Sequence, residues 1–476
     1  DSDVLMKNNI VQNCGESDYI GSGHSGTSNN LSSDGTAPGT NSKTGTTVDF
    51  VSTLSGAEDF HLAPSDMAAR DSGADLSSES LFTDIDGDTR PSSLWDIGAD
   101  EASIPIYRSV GPSATSALDD DNSQQDTLTI TSGAAIFEVA VVDNVGVGDV
   151  ILYDSNSDNS LTSADSIAFI KSRTDSTHYA IQTETGAVPS DLAVNDKWAI
   201  YRAYTSLANA ESGTKNTSIP ITFTGGDRDL VANNEQWNIA AYANGTAADT
   251  SSVSVSGWTT GAQNYIKIYT TVGSSEVGTS QRHAGKWDDG KYRLDVTPTG
   301  NGQGALQVSD DYLKIEGLQI RTNAGSYTGT YGIYSTNVSG ILDVSQNIIQ
   351  FNTSALDGFG MDLSADIGAN IYNNIVYATG NGTGASGIVN RGGSGSTVYN
   401  NTVFGSQFSR GIVSTTNAIA KNNIVQDSAD GYYGSFDFIS SDYNISDVFL
   451  IDDQDAPNAS FAGGYATISF VDEVGY

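Results

Sequence analysis

Between residues 313 and 428 one short pattern returns at a nearly fixed interval. Gly317-Leu318-Gln319-Ile320, Asn347-Ile348-Ile349, Asn374-Ile375-Val376, Asn401-Thr402-Val403 and Asn423-Ile424-Val425 each set apolar or β-branched residues behind a Gly or an Asn. Counted from the residue after that Gly or Asn, the steps are 30, 27, 27 and 22 residues. A second series keeps the same phase: Gly332-Ile333-Tyr334, Gly360-Met361, Gly387-Ile388-Val389 and Gly411-Ile412-Val413, at steps of 28, 27 and 24. Short strands of this kind cannot bury their apolar faces alone. They can if the chain coils and each coil stacks on the one before. In-register stacking sets like above like, so Ile and Val fill the interior. Asn above Asn forms an amide ladder at a corner, where Asn also tolerates left-handed backbone. The pattern predicts an all-β chain built on a parallel β-helix, each rung adding about 4.8 Å. The competing reading, an antiparallel sandwich of short strands, does not require such recurring motifs.

A longer repetition lies over this one. Residues 7–12 and 421–426 both read KNNIVQ, 414 positions apart (421 minus 7). The same offset carries Asn30-Leu31-Ser32 onto Asn444-Ile445-Ser446, and Phe50-Val51 is echoed at Phe470-Val471 with a slip of six. One rung sequence therefore occurs near both ends. With ends that fall inside a repeat, the sequence reads as a processed subunit or as one stretch of a longer tandem array. The exposed backbone groups of an uncapped rung invite stacking or continuation.

Composition supports many short strands joined by polar turns. Only 37% of the 476 residues are hydrophobic, 51 are Gly, and no segment keeps a helical apolar period over three turns. The longest helix candidate is Thr205–Ser212, with Leu207–Ser212 as a small cap over the first rung. No apolar run is long enough to insert in a membrane. Against 21 bases stand 58 acids, for a net charge of −37. That excludes a basic footprint for nucleic acid. Such a surface repels itself unless cations neutralise it, whether in salt water or through bound Ca²⁺. Cys14 is the single cysteine, so no intrachain disulfide forms.

Four segments follow. Residues 203–312 carry strand signals at irregular spacing, Trp237-Asn238-Ile239-Ala240, Val253-Ser254-Val255, Ile266-Lys267-Ile268-Tyr269 and Tyr292-Arg293-Leu294, and read as the first rungs and cap of the coil. Residues 313–476 hold the regular rungs and repeat the start of the chain. Residues 102–202 contain five or six strands, Leu128-Thr129-Ile130, Ile136-Phe137-Glu138-Val139, Val150-Ile151-Leu152-Tyr153, Ala168-Phe169-Ile170 and Trp198-Ala199-Ile200-Tyr201, and read as an inserted small β barrel or sandwich. Residues 1–101 read as the closing part of a β-helix module.

Asp229-Leu230-Val231, Glu235-Gln236-Trp237-Asn238, Gly257-Trp258-Thr259-Thr260 and the stretch from Gln281 to Asp288 resemble secreted right-handed parallel β-helix proteins of the pectate-lyase-like kind, over about residues 203–428. Phe60-His61-Leu62-Ala63-Pro64-Ser65, Asp71-Ser72-Gly73-Ala74, the string from Asp84 to Pro91, and Asp96-Ile97-Gly98-Ala99-Asp100-Glu101 resemble the choice-of-anchor Q element that ends surface-anchored bacterial β-helices. In that family the element comes late in the chain, whereas here 375 residues follow it. The resemblance implies an extracellular or cell-surface location and a module that closes before the next begins.

Two cation sites are expected. Asp154, Asn156, Asp158, Ser160, Thr162 and Asp165 fall at positions 1, 3, 5, 7, 9 and 12 of a loop with Leu161 at position 8. This is the spacing that wraps a chain around Ca²⁺, and it resembles dockerin and EF-hand loops. Asn159 replaces the usual Gly at position 6, and Asp replaces Glu at 12; a plain polar hairpin loop is the other reading. Asp84, Asp86 and Asp88 alternate around Gly87 and could share one cation, or could bond local backbone amides and Arg90. The runs Asp119-Asp120-Asp121 and Asp452-Asp453-Gln454-Asp455 read as solvated faces.

Residues suited to catalysis are few. The regular rungs carry no His, their bases are Lys314, Arg321, Arg391, Arg410 and Lys421, and Asp343, Asp357, Asp362 and Asp366 do not recur at one rung position. Arg391 is the best lone candidate. His61 and His283 read as structural, and the tryptophans, including Trp237, Trp258 and Trp287, as core rather than sugar platform. The expectation is an extracellular structural protein, a subunit or repeat of a surface filament, self-associating head to tail and stabilised by calcium. A polysaccharide lyase or hydrolase, or a carbohydrate-binding adhesin, is the alternative.

Overall fold

The structure is a computed structural model that describes residues 4–21, 23–63, 66–86, 90, 95–195, 197–354, 357–393, 395–437 and 439–447. Asp88, Phe470-Val471 and the run at 452–455 lie outside the described residues. The chain is nearly all β, its sheets largely parallel, and it divides into two compact units. One comprises residues 1–105, 229–236 and 259–265, and the other comprises the rest.

In the larger unit, successive strands visit three parallel ladders in turn. The first includes Ile266–Thr270, Leu313–Glu316, Ile341–Ser345, Gly368–Tyr372 and Thr397–Tyr399. The second runs from Arg293–Val296 through Gln319–Gly325, Ile348–Thr353, Ile375–Gly380, Thr402–Phe404 and Ile424–Gln426 to Ile445–Ser446. The third runs from Val253–Val255 through Gly304–Val308, Thr330–Ser335, Gly358–Leu363, Ala385–Asn390 and Phe408–Lys421 to Asp430–Phe436. Registers match the sequence series. Ile320, Ile349, Val376, Val403 and Val425 stack as one column, and Ile333, Met361, Ile388, Ile412 and Tyr432 as another. All ten are at most 1% exposed. Each such side chain contributes roughly 1.5–3 kcal/mol on burial, which is why period and register agree.

At the corner between the first and second ladders, two successive residues divide the work expected of one Asn. Gln346, Asn373, Asn400 and Asn422 take the left-handed backbone, with φ of 54–58°. The next residues, Asn347, Asn374, Asn401 and Asn423, turn inward and are at most 1% exposed.

Residues 119–201 form one antiparallel sheet of eight strands in the order Leu192–Asn195, Leu128–Thr131, Ala134–Phe137, His178–Gln182, Ser166–Arg173, Val150–Tyr153, Trp198–Tyr201, Asp119–Asp120. Its core gathers Leu128, Ile130, Phe137, Ile151, Ile170, Tyr179, Trp198 and Ile200, with the Phe137 and Trp198 rings 4.8 Å apart. A strand expected at Ile136–Val139 instead spans Ala134–Phe137. Ser132 and Gly133, both left-handed, make a two-residue hairpin turn that starts the strand earlier. Asp121, read as solvated, is 3% exposed and pairs with Lys197 at 2.8 Å. The short helix is present at Leu207–Glu211. Ser206 caps it by accepting from the Asn209 amide, and Leu207 and Ala210 are buried.

The smaller unit pairs Ile10–Val11 with Leu31–Ser32 in parallel and Phe50–Ser52 with Asp59–Leu62 antiparallel. Leu31, Val48, Leu62, Ala69 and Ile97 form its core. Beside them the buried Arg90 guanidinium bonds the Glu101 carboxylate at 2.6 Å and the Gly98 and Ala99 carbonyls.

Candidate functional site

The inward asparagines build a continuous amide ladder. Asn347 donates its backbone N–H and its Nδ2–H to Oδ1 of Asn374, both at 3.0 Å; Asn374 does the same to Asn401, again at 3.0 Å. Asn401 donates to Asn423 at 2.9 and 3.0 Å, and Asn423 to Asn444 at 3.1 and 2.8 Å. Each Nδ2 has a second acceptor one rung back, such as Ile371 O for Asn401 and Val398 O for Asn423. Both Nδ2 donors and the Oδ1 acceptor of Asn347, Asn374, Asn401 and Asn423 are thus used in a dry interior, where an unpaired group would be costly.

The repeated sequence rebuilds the same rung in the smaller unit. Asn9 donates its backbone N–H to Asn30 Oδ1 at 3.1 Å and its Nδ2–H at 2.8 Å, the same two distances as for Asn423 and Asn444. Leu31 N donates to Asn9 O at 2.8 Å, as Ile445 N does to Asn423 O. Nδ2 of Asn30 reaches Met6 O, and Nδ2 of Asn444 reaches Ala420 O, its counterpart at the 414 offset. Asn8 and Asn422 share φ near 55°. One difference matters. Asn423 is fully buried and Val425 is 1% exposed, whereas Asn9 is exposed and Val11 half-buried. In the larger unit the strand Thr402–Phe404 covers this side of the rung. Among the described residues, Ile10–Val11 pairs with Leu31–Ser32 alone.

The loop from Asp154 to Asp165 closes on its own amides. Asp154, 3% exposed, accepts from the N–H groups of Asn156, Ser157 and Asn159. Asn156 Oδ1 accepts from Asp158 N; Asp158 accepts from the N–H and hydroxyl of Ser160; Asp165 accepts from the N–H and hydroxyl of Thr162. Asn159 has φ of 64°, the left-handed turn its position demands. The serine hydroxyl holds the Asp158 carboxyl below its ordinary range.

Asp84 Oδ1 accepts from the Asp86 amide in a local turn. Asp86 faces away from that turn, toward His61 Nε2 at 3.0 Å, while His61 Nδ1 meets Asp59 at 2.5 Å. His61, Asp86 and Asp100 are the one group of three such side chains, among the described residues, whose ligand atoms lie within 4.8 Å of each other. Hydrogen bonds to Asp59 and then Asp86 raise His61 to about 9, against the cost of burial. At neutral pH both ring nitrogens therefore carry protons, and a metal would have to displace one.

Arg391 is held by both oxygens of Asp362, at 2.6 and 3.0 Å, and Asp343 accepts from Asn370. Trp237 and Trp258 pack together inside, 5.5 Å apart, and Trp287 stacks on Arg321 at 4.3 Å. His283 Nε2 bonds Gln346 O, and burial lowers its pKa. Sequence reasoning did not find the fully buried pair Arg202–Asp149 at 2.5 Å, whose guanidinium also lies 3.7 Å over the Tyr242 ring. Its partners are 53 positions apart. Comparison with family models, with curated proteins and with solved structures finds no match.

Proposed function

We propose that this chain is an extracellular structural protein, a subunit or repeat of a surface filament assembled end to end. In this reading the three ladders wind as a right-handed parallel β-helix, and the segment that closes one module adjoins the opening of the next. One observation carries the reading: the rung at Asn9–Asn30 repeats the hydrogen bonds of the rung at Asn423–Asn444. Rungs of matching sequence and register can stack on the same kind of neighbour, as strand addition requires. A surface with a net charge of −37 limits lateral clustering.

Calcium belongs to the proposal on charge. Ions at Asp154, Asn156, Asp158, Ser160, Thr162 and Asp165, or beside Asp84 and Asp86, would relieve part of the self-repulsion and stiffen the turns that hold them. The test is assembly itself, followed by light scattering with calcium and with a chelator. Growth in calcium supports the reading, and a chain that stays single in both conditions refutes it.

A further inference from the structure

We infer that His61, Asp86 and Asp100 form a binding site for a divalent transition-metal ion of the zinc class, held through Nε2 of His61 and one carboxylate oxygen of each aspartate. The site lies wholly within the smaller unit. It does not depend on whether copies of the chain assemble.

Three segments separated in sequence meet there, and main-chain bonds fix them without an ion. The strand Asp59–Leu62 brings His61, and its last residue ties it to Asp100: Leu62 N donates to Asp100 Oδ2 at 2.6 Å. Ile85 N donates to Ala99 O at 2.9 Å, which sets Asp86 beside Asp100. Asp86 N closes its own turn on Asp84 Oδ1 at 3.0 Å, and the Asp86 carboxylate reaches His61 Nε2, also at 3.0 Å. One ligand atom from each of His61, Asp86 and Asp100 lies within 4.8 Å of the other two. Ligands about 2.0–2.2 Å from a tetrahedral zinc ion stand roughly 3.3–3.6 Å apart, so small side-chain rotations close the site. Water takes the fourth position.

The imidazole is oriented for a metal. Asp59 Oδ1 accepts from the His61 amide at 3.1 Å and meets ring atom Nδ1 at 2.5 Å. A ring whose Nδ1 proton is held by a carboxylate presents Nε2, which is the outer-shell arrangement of metal-bound histidines. Charge favours the exchange. Asp59, Asp86 and Asp100 set three negative charges about the ring. A proton on Nε2 answers one of them, whereas a divalent ion answers two and releases that proton to solvent. An entry path exists, because the side chains of His61 and Asp86 are 41% and 33% exposed while Asp100 is buried. One imidazole nitrogen with two carboxylates suits zinc and its neighbours. Calcium instead takes about six to eight oxygens.

The test is calorimetric titration of zinc chloride into the full chain at neutral pH, with calcium in excess. Zinc binds the parent and slows hydrogen exchange of the Leu62 amide. His61→Gln and Asp86→Ala each remove this binding. Asp59→Asn, which alters a positioning residue, weakens it about 10–100-fold. Asp158→Asn and His178→Gln, at exposed sites in the larger unit, bind zinc like the parent. If His61→Gln melts early without metal, Asp86→Ala, on an exposed turn, carries the comparison. Zinc binding that survives His61→Gln or Asp86→Ala in a folded chain, or that calcium displaces, puts the ion on carboxylates alone and overturns the site. So does a parent that binds no zinc. Filament growth is read separately by scattering, so failure of this site and failure of the filament are distinct results.

Discussion

A Cβ placed on Gly387 would lie 2.5 Å from Cγ1 of Val403 and 2.6 Å from the carbonyl oxygen of Gly411. The same crowding recurs one rung away on each side, at Gly360 against Val376 and at Gly411 against Val425. The glycine column of the third ladder is therefore a matter of space: it lets that ladder close onto the second. Gly387→Ala is expected to lower the stability of the larger unit by about 1–3 kcal/mol, as overpacking does. Gly15→Ala, with nothing within 4 Å, serves as the neutral control in the same denaturation series. Equal midpoints for the two would contradict the packing argument.

Asn401→Ala removes the oxygen that receives two bonds from Asn374 and leaves those donors buried. A loss of about 3 kcal/mol is expected, from the usual penalty of about 1–3 kcal/mol per orphaned group. Asn401→Asp keeps the acceptor but presses a carboxylate against Ile371 O and Asn423 Oδ1, where Nδ2 had donated. Its folded pKa rises, so the variant should regain stability as the pH falls toward 4. Stability of Asn401→Asp that does not change with pH would count against the ladder.

The ladders were legible from sequence because in-register stacking repeats a residue type at each step, so Asn347, Asn374, Asn401 and Asn423 announce themselves. The helix at Leu207–Glu211 falls inside the candidate at Thr205–Ser212, and Ser206 caps it. What was hidden has no local period. Arg202 finds Asp149 and Arg90 finds Glu101 only after folding, and Asp121 inside an acidic run is buried and pairs with Lys197. His61 was read as structural, and its pairing with Asp86 depends on how the strand Asp59–Leu62 faces the turn at Asp84.

The smaller unit should weaken in alkali. Burial raises Asp96 to about 7, and burial together with the Asp96 charge raises Glu101 to about 8. Unfolded carboxyls titrate near 4, so the stabilisation from these raised values is full below about pH 4 and is lost as the pH rises through about 7 to 8. His61 acts in the same direction: its contribution is full below about 6.5 and is lost as the pH rises through about 9. Its side chain is 41% exposed, so the carboxyl pair carries most of the effect. Hydrogen exchange of amides such as Leu31 and Ile97 at pH 6 and pH 9.5 checks this. Faster opening at pH 9.5, beyond the intrinsic rate change, is the expected result, and Glu101→Gln should flatten it.

Calcium should bind the loop at Asp154–Asp165, raise the thermal midpoint of the larger unit and protect the amides of Ser157 and Asn159. Asp158→Asn removes an exposed carboxylate whose bonds from Ser160 lie within the loop, so it should weaken binding and leave the calcium-free midpoint nearly unchanged. Calorimetric titration of parent and variant decides the matter, and identical heats would remove the loop from the account.

Electron microscopy of the chain at neutral pH in calcium-containing high salt decides whether it is the subunit of an end-to-end filament. Unbranched filaments one chain wide are the expected result. Isolated globular particles would contradict the filament.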